Sequence, residues 1–410
     1  MYIFTKQSSC PLGTGMIKGY YKLTPSALKI HQEIAPWVVD ALSRFCDQPK
    51  IALLDIGCSD GGNFWPVMRA IFEKGSFSAT PQSIAICGLS LEKPSQYVGP
   101  FVFLKEHLAK NVTEFNALSE ADKQLVVKRL LVSDAEVRQK IKVDADILGE
   151  GSHEKINCSP TVLDACKQAL LSLMGIHHLE FTYVSGSFGN ADVWKQCEQK
   201  MGKTADVMTT FTATHWLHRP TEDCFDGMDL ECAPFESHRQ TWCANYHTWL
   251  ELAKSNLSPN GVLIAGDLIS VPEDNGMMFP AKLGYQLLQE VLKKKGINNV
   301  KYSVYFPTEE TRVEVLKTQG FDIKQNQRFS INEISHEAKS NIPEFCMQVV
   351  KSWSKWQLPP HLSDSEVDEV YQALTVKFRE HLKSPNCQKT PDGMPKGMAY
   401  TYLGFVAEKT

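Results

Sequence analysis

The sequence predicts an α/β protein built on a mostly parallel, doubly wound sheet. Short apolar runs of strand length alternate with longer stretches whose apolar residues recur at helical spacing. A glycine-containing turn follows the first run, and the other distinctive motifs follow later runs, where sheets of this class place their ligands. The composition is that of an ordinary globular enzyme, with 43 % apolar and 22 % charged residues in 410.

The elements follow in order. Residues 1–18 carry Pro11, Gly13 and Gly15 with little periodicity and predict an arm. Leu28, Ile30, Ile34, Val38, Val39, Leu42 and Phe45 fall at helical spacing and complete an arm-and-helix unit over 1–45. Residues 51–56 form a continuous apolar run interrupted only by Asp55, the pattern of a buried parallel strand, and enter the turn Gly57-Cys58-Ser59-Asp60-Gly61-Gly62 before a helix over 63–72. Residues 83–89 predict the next strand. The segment 106–168 is charged and helical in pattern, an insertion that supplies no core strand.

Strands are then predicted over 178–184, leading into Gly186-Ser187-Phe188, and over 205–211, ending in Thr214-His215-Trp216. A helix over 240–257 stops at Ser258-Pro259-Asn260-Gly261, and a strand runs over 262–268. The last third holds Met277, Met278 and Phe279, an amphipathic stretch over 285–295, a strand over 302–305, a helix over 308–319 and a strand over 321–324. It closes on an alternating strand over 400–406. The organisation expected is one domain over 1–410, with helical cap segments formed by the insertions over 270–300 and 330–395.

Charge and cysteine usage narrow the function. A net charge of −4 argues against a general nucleic-acid binder. The 12 cysteines are scattered without a CxxC pair, unlike the dense frameworks of short secreted chains. No charged-then-apolar leader opens the sequence and no apolar run reaches bilayer length. The expectation is a cytoplasmic protein with a small-molecule partner and neither a nucleic-acid nor a membrane partner.

The chemistry-bearing segment is Asp55-Ile56-Gly57-Cys58-Ser59-Asp60-Gly61-Gly62-Asn63. Glycine allows a tight turn and a close backbone approach, and an acid at the strand end faces a positive or hydrogen-bonding group. The spacing is neither the dinucleotide G-x-G-x-x-G nor a P-loop, since no G-K-[ST] follows. An acid followed by G-x-S-x-G-G suits an uncharged nucleoside or a sulfonium better than a pyrophosphate. The same residues also read as a ligand-free turn capped by Asp55, or as a hydrolase elbow with Ser59 as nucleophile, although no HGGG-type oxyanion motif precedes it. His215 and Trp216 carry N–H donors, and the alternative for them is a packed core pair. His215, His218, Cys224, Cys232 and His238 do not match structural zinc spacing, so no metal is expected.

Taken together, these segments resemble class I methyltransferases, in particular the salicylate, benzoate, jasmonate and caffeine-pathway (SABATH) group. Asp55, Gly57, Cys58, Ser59, Gly61 and Asn63 match its acid followed by G-C-S-x-G-x-N. Gly186-Ser187-Phe188 resembles its G-S-F turn, Phe211 to Leu217 its substrate segment, and Tyr305 to Glu310 with Gly320 to Ile323 its late strand-helix-strand unit. The resemblance implies a Rossmann-like methyltransferase sheet, S-adenosyl-L-methionine as cofactor and a small acid as substrate. It places Asp55, Gly57, Ser59, Asn63, Ser187 and Phe188 at the cofactor, and His215, Trp216 and Tyr21 at the substrate. It also leans toward a homodimer. The reaction implied is carboxyl O-methylation, with N-methylation of a heterocycle or amine, or a binding protein without turnover, as alternatives on the same fold. The sequence departs from the group's pattern where Thr24, Pro25 and Leu28 replace its asparagine, serine and glutamine. Either His31, Gln32 or Lys22 would then supply the missing donor, or the substrate is not held through a simple carboxylate; Glu92 is the candidate for the ribose hydroxyls.

Overall fold

A computed structural model describes residues 25–59, 61–73, 83–91, 99, 118–119, 121–122, 178–215, 236–273, 276–297, 304–331, 338–355, 358–359, 361–391 and 393–410. The expected arm over 1–18 and nearly all of the expected insertion over 106–168 lie outside these residues, as do Tyr21, Lys22, Glu92 and Trp216.

Helix α1 (Pro25–Ser43) leads into β1 (Lys50–Ile56), α2 (Trp65–Glu73) and β2 (Ser83–Ser90). Then come β3 (His178–Ser185), α3 (Ala191–Met201), β4 (Ala205–Phe211), α4 (Glu236–Asn256) and β5 (Leu257–Leu268). A small hairpin, β6 (Val271–Glu273) and β7 (Gly276–Met278), precedes α5 (Lys282–Lys294) and α6 (Glu309–Thr318). The chain continues through β8 (Phe321–Ile331), α7 (Ile342–Ser354) and α8 (Asp364–Lys383), and returns as β9 (Tyr400–Lys409).

The main sheet has seven strands in the order β3-β2-β1-β4-β5-β9-β8. The first five pair in parallel, and β9 runs antiparallel between β5 and β8. This is the doubly wound order with one reversed strand inserted, and its direction of growth switches between β1 and β4.

Strand β1 shows how the sequence dictates two buried faces. Every residue from Ile51 to Ile56 is buried. Period-two alternation sends Ile51 and Leu53 to the face covered by Ile30, Ile34, Val38 and Leu42 of α1. Ala52, Leu54 and Ile56 go to the opposite face, against Trp194 of α3 and Trp242, Tyr246 and Trp249 of α4. Each such side chain removed from water contributes about 1.5–3 kcal/mol, so the continuous apolar run is what a strand sandwiched between helix layers requires.

The amino-terminal edge of the sheet is closed by a buried acid. Asp206 of β4 accepts the Ala52 N–H at 2.9 Å, the Ser258 hydroxyl at 2.9 Å and the Lys203 ammonium at 2.9 Å. One carboxylate thereby pins β1, β4 and β5 together, and the carboxyl edge is left for chemistry.

Several expectations need correction. The turn 258–261 is not a break before β5. The strand begins at Leu257 and carries Asn260 at φ 64°, an irregularity across which the β4–β5 register shifts. Of the strand expected over 302–305, residues 302 and 303 lie outside the described residues, and Val304 makes a single bridge. Strand β8 runs on to Ile331 because β9 is long enough to pair with it throughout. In the expected cap segments, α5, α7 and α8 pack on one another through Leu288, Val350, Val370, Leu374 and Phe378, all buried.

Candidate active site at the switch point

The site is built from the carboxyl ends of β1, β3 and β4. On β1, period two places Asp55 on the α1 face, in register with Thr209 of β4. The Thr209 hydroxyl donates to Asp55 Oδ1 at 2.9 Å. Burial disfavours the charged carboxylate and pushes its pKa up to about 7, although the Thr209 hydrogen bond pulls the other way.

Beyond β1 the chain turns at Gly57, whose φ is 72°. The N–H groups of Gly57 and Cys58 both donate to Leu89 O, at 2.7 and 3.3 Å, and tie the turn to the end of β2. A β-carbon at Gly57 would overlap the Ala213 side chain beyond β4. Glycine is therefore required both by the left-handed backbone and by the approach of a second loop. Ser59 sits at φ 51°, and its buried hydroxyl has no hydrogen-bond partner among the described residues. Asn63 is buried in the 3-10 turn Gly62–Phe64 that starts the following helix.

At the end of β3, Gly186 N donates to Ser90 O at 2.8 Å, which holds this turn beside the end of β2. Ser187 Oγ accepts the Gly189 N–H at 3.2 Å, and Phe188 O accepts the Trp194 indole N–H at 2.7 Å. The Phe188 ring is half-buried against the α3–α4 core. Asn190 caps α3 by accepting the Asp192 N–H at 3.0 Å.

Beyond β4, His215 is buried and its ring stacks on Phe306 at 5.3 Å between centroids. Phe306 stacks in turn on Phe279 at 6.0 Å, so Phe279 reaches His215 through one intervening ring. Burial, and then the nearby Arg312 cation, lower the His215 pKa to about 3. The imidazole is a neutral hydrogen-bonding group across the physiological range. Asp267 and Arg312, both fully buried, form an ion pair at 3.1 Å beneath this turn.

The structure thus brings Asp55, Gly57, Ser59, Asn63, Ser187, Phe188 and His215 to one edge of the sheet, with Tyr21 and Trp216 outside the described residues. Of the three substitutes expected for the missing donor, Gln32 is exposed on α1, while His31 is buried with its ring 4.0 Å from that of Phe211. His31 Nδ1 lies 2.6 Å from Ala27 O, which places the proton there and the lone pair on Nε2. Sequence reasoning missed Thr209, Asp267, Phe306 and Arg312. A polar residue inside an apolar strand was the available signal for the first two; Arg312, in a charged helical stretch, offered none. A hydrolase elbow needs a base hydrogen-bonded to its serine, and the isolated Ser59 hydroxyl does not meet that requirement among the described residues.

The strand order and the site edge define a Rossmann-like methyltransferase fold. A solved structure titled loganic acid methyltransferase with SAH shares it over 99 % of this chain and 98 % of that one, with a TM-score of 0.55 and 14 % identity. A S-adenosylmethionine-dependent methyltransferase from Geobacter sulfurreducens, in complex with S-adenosyl-L-homocysteine, aligns over 92 % of this chain and 91 % of that one, with a TM-score of 0.36 and 12 % identity. No protein-family model matches the sequence, and no curated protein matches it.

Proposed function

We propose that the protein is an S-adenosylmethionine-dependent methyltransferase that methylates the carboxylate of a small acid, as the sequence resemblance implies. One observation carries the proposal: a buried carboxylate, Asp55, stands at the switch point of a methyltransferase fold with the neutral Thr209 hydroxyl as its one hydrogen-bond partner among the described residues. Such a group is costly until a positive ligand group arrives. The buried Ser59 hydroxyl beside it likewise lacks a partner among the described residues. These residues fit a ligand that carries both a cationic centre and polar nucleoside groups.

Asp55, Gly57, Ser59 and Asn63 would hold the methionine end of the cofactor, and Ser187 with Phe188 the adenosine end. The bound cofactor supplies a methyl group on a positively charged sulfur, whose transfer leaves a neutral thioether. A carboxylate is already a nucleophile at neutral pH, so the protein has to position it and exclude water rather than remove a proton. Neutral His215 suits that task, because it donates an N–H without a charge of its own. Trp216 and Tyr21 would complete the acceptor contacts. A base with a pKa near 3 would be poorly matched to deprotonating an amine or hydroxyl at neutral pH, which favours the carboxylate over the other acceptors.

Calorimetric titration with S-adenosylmethionine and S-adenosylhomocysteine tests the proposal. Saturable binding is expected, weakened at least tenfold in Asp55→Ala and kept within about twofold in His215→Ala. Labelled methyl transfer to benzoic and isoprenoid acids then tests the acceptor, since alkali releases methanol from an ester and not from an N-methyl product. Failure to bind either cofactor form would end the methyltransferase reading.

A further inference from the structure

We infer that Asp267 and Arg312 are positioning residues, which lock the strained turn 212–215 and thereby fix the His215 imidazole at the carboxyl edge of the sheet. The inference rests on the methyltransferase proposal for what His215 does there. It begins with the backbone. Thr212 has φ 56°, a left-handed conformation that a β-branched residue adopts only where its surroundings impose it.

Those surroundings can be followed bond by bond. Thr212 N donates to Gly266 O at 3.1 Å. Asp267 Oδ1 accepts the N–H groups of Ala213 and Thr214 at 3.3 and 3.4 Å, while Oδ2 accepts the Thr214 hydroxyl at 2.7 Å. Arg312 Nη1 donates to the Thr214 hydroxyl oxygen at 2.8 Å and to Asp267 Oδ2 at 3.1 Å. The Trp242 indole N–H donates to Thr214 O at 2.8 Å, and Tyr305 N donates to His215 O at 2.9 Å. One carboxylate therefore gathers two successive backbone donors and a side-chain hydroxyl of the turn that ends in His215.

A buried ion pair is a poor source of net stability, since apolar residues of similar volume often do as well. What it supplies is direction. The Arg312 guanidinium lies 5.3 Å from the Trp242 ring and 5.1 Å from the Tyr246 ring, so its plane is held by aromatic faces while its nitrogens point to Thr214, Asp267 and Leu268 O. Neither residue belongs to the segments that resemble the methyltransferase motifs around Asp55 and Ser187. Arg312 lies against Trp242 and Tyr246 of α4, and its ion pair carries Asp267 to the same place behind the His215 turn.

The test is nuclear magnetic resonance titration of the full chain labelled at histidine, with S-adenosylhomocysteine affinity measured on the same samples. In the native chain His215 should stay neutral down to the lowest pH at which the protein remains folded. The double variant Asp267→Asn/Arg312→Met keeps an acceptor for Thr214 and removes both charges. It should raise the His215 proton affinity at least tenfold and broaden its ring signals, with S-adenosylhomocysteine affinity within threefold of native. Arg312→Lys keeps the charge and loses the fork, so it should leave the His215 proton affinity low and still broaden its ring signals. Thr214→Val, which deletes only the bridging hydroxyl, should give a smaller rise of about threefold and decides the matter if the double variant does not fold. An unchanged His215 titration in a folded variant would overturn the positioning role. Absence of S-adenosylhomocysteine binding in the native chain would instead overturn the methyltransferase proposal, and the acceptor role of His215 with it.

Discussion

Gly57 and Ala213 meet so closely that a β-carbon at Gly57 would overlap Ala213 Cβ. The turn after β1 and the turn after β4 are thus joined by a contact that only glycine permits. Gly57→Ala is expected to destabilise the protein by about 2–4 kcal/mol: roughly 1 from the left-handed backbone and the remainder from overpacking. Adding Ala213→Gly removes the overlap and should recover all but about 1 kcal/mol of the loss. Urea unfolding of the two single variants and the double variant measures this coupling. If the double variant is no more stable than Gly57→Ala alone, the two turns are not joined as described.

Asp55 makes affinity and stability respond to pH in opposite directions. Its carboxyl pKa is raised from 3.8 to about 7 in the folded chain. The folded state therefore binds the proton more tightly than the unfolded state, and the destabilising contribution of Asp55 is absent below about pH 4 and complete above about pH 7. A cationic ligand selects the ionised form, so S-adenosylmethionine should bind more tightly as pH rises through 7. Asp55→Asn should flatten that dependence and weaken binding at pH 8. It should also make the ligand-free protein more stable there, by on the order of 1–3 kcal/mol. Equal stability of the two proteins at pH 8 would mean that the carboxylate is satisfied without a ligand.

The sheet was legible because its physics is local. The runs beginning at Ile51, Ser83, His178, Ala205 and Val262 each carry enough apolar density to read as strands, and all five are strands. The turns at Gly57 and Gly186 were legible because glycine at a strand end reports a backbone need. Helix α8, within the expected helical cap, has its own local signal: Ser363 and Glu366 form a capping box, followed by Val367, Val370, Tyr371, Leu374 and Phe378 at helical spacing. The Asp267–Arg312 pair was not readable. It joins residues 45 apart in sequence, and nothing local to Arg312 separates a buried guanidinium from a solvated one. Asp55 illustrates the boundary between the two cases, for its motif predicted the place while its partner Thr209 came from a strand 154 residues later.

Two of the buried histidines, His31 and His215, should contribute strongly to acid sensitivity. Burial lowers His31 to about 4 and His215 to about 3. The unfolded chain protonates both near pH 6.5, so their stabilising contribution is complete above that value and is lost as pH falls toward 4. Asp55 works against them in this window, because there the folded state holds its proton and the unfolded state does not. Near pH 5 these three groups leave a net uptake of about one proton on unfolding, a loss of roughly 1.4 kcal/mol per pH unit. Asp55→Asn should about double that slope, whereas His31→Gln should nearly abolish it. Urea midpoints between pH 4.5 and 6.5 give the slopes, and identical slopes in all three proteins would remove these groups from the account.

Thr212 offers the opposite kind of test, since its backbone is already strained. Asparagine tolerates the left-handed region better than a β-branched residue does. The Thr212 N–H bond to Gly266 O is a main-chain bond and survives the change. Thr212→Asn should therefore stabilise the protein by about 1 kcal/mol, read as a higher urea midpoint at unchanged slope. If the strain serves to hold the turn in one conformation, the variant should still bind S-adenosylhomocysteine with native affinity, because Asp55 and Gly57 are untouched. Lower stability in Thr212→Asn would show instead that the threonine side chain makes packing contacts worth more than the backbone strain it carries.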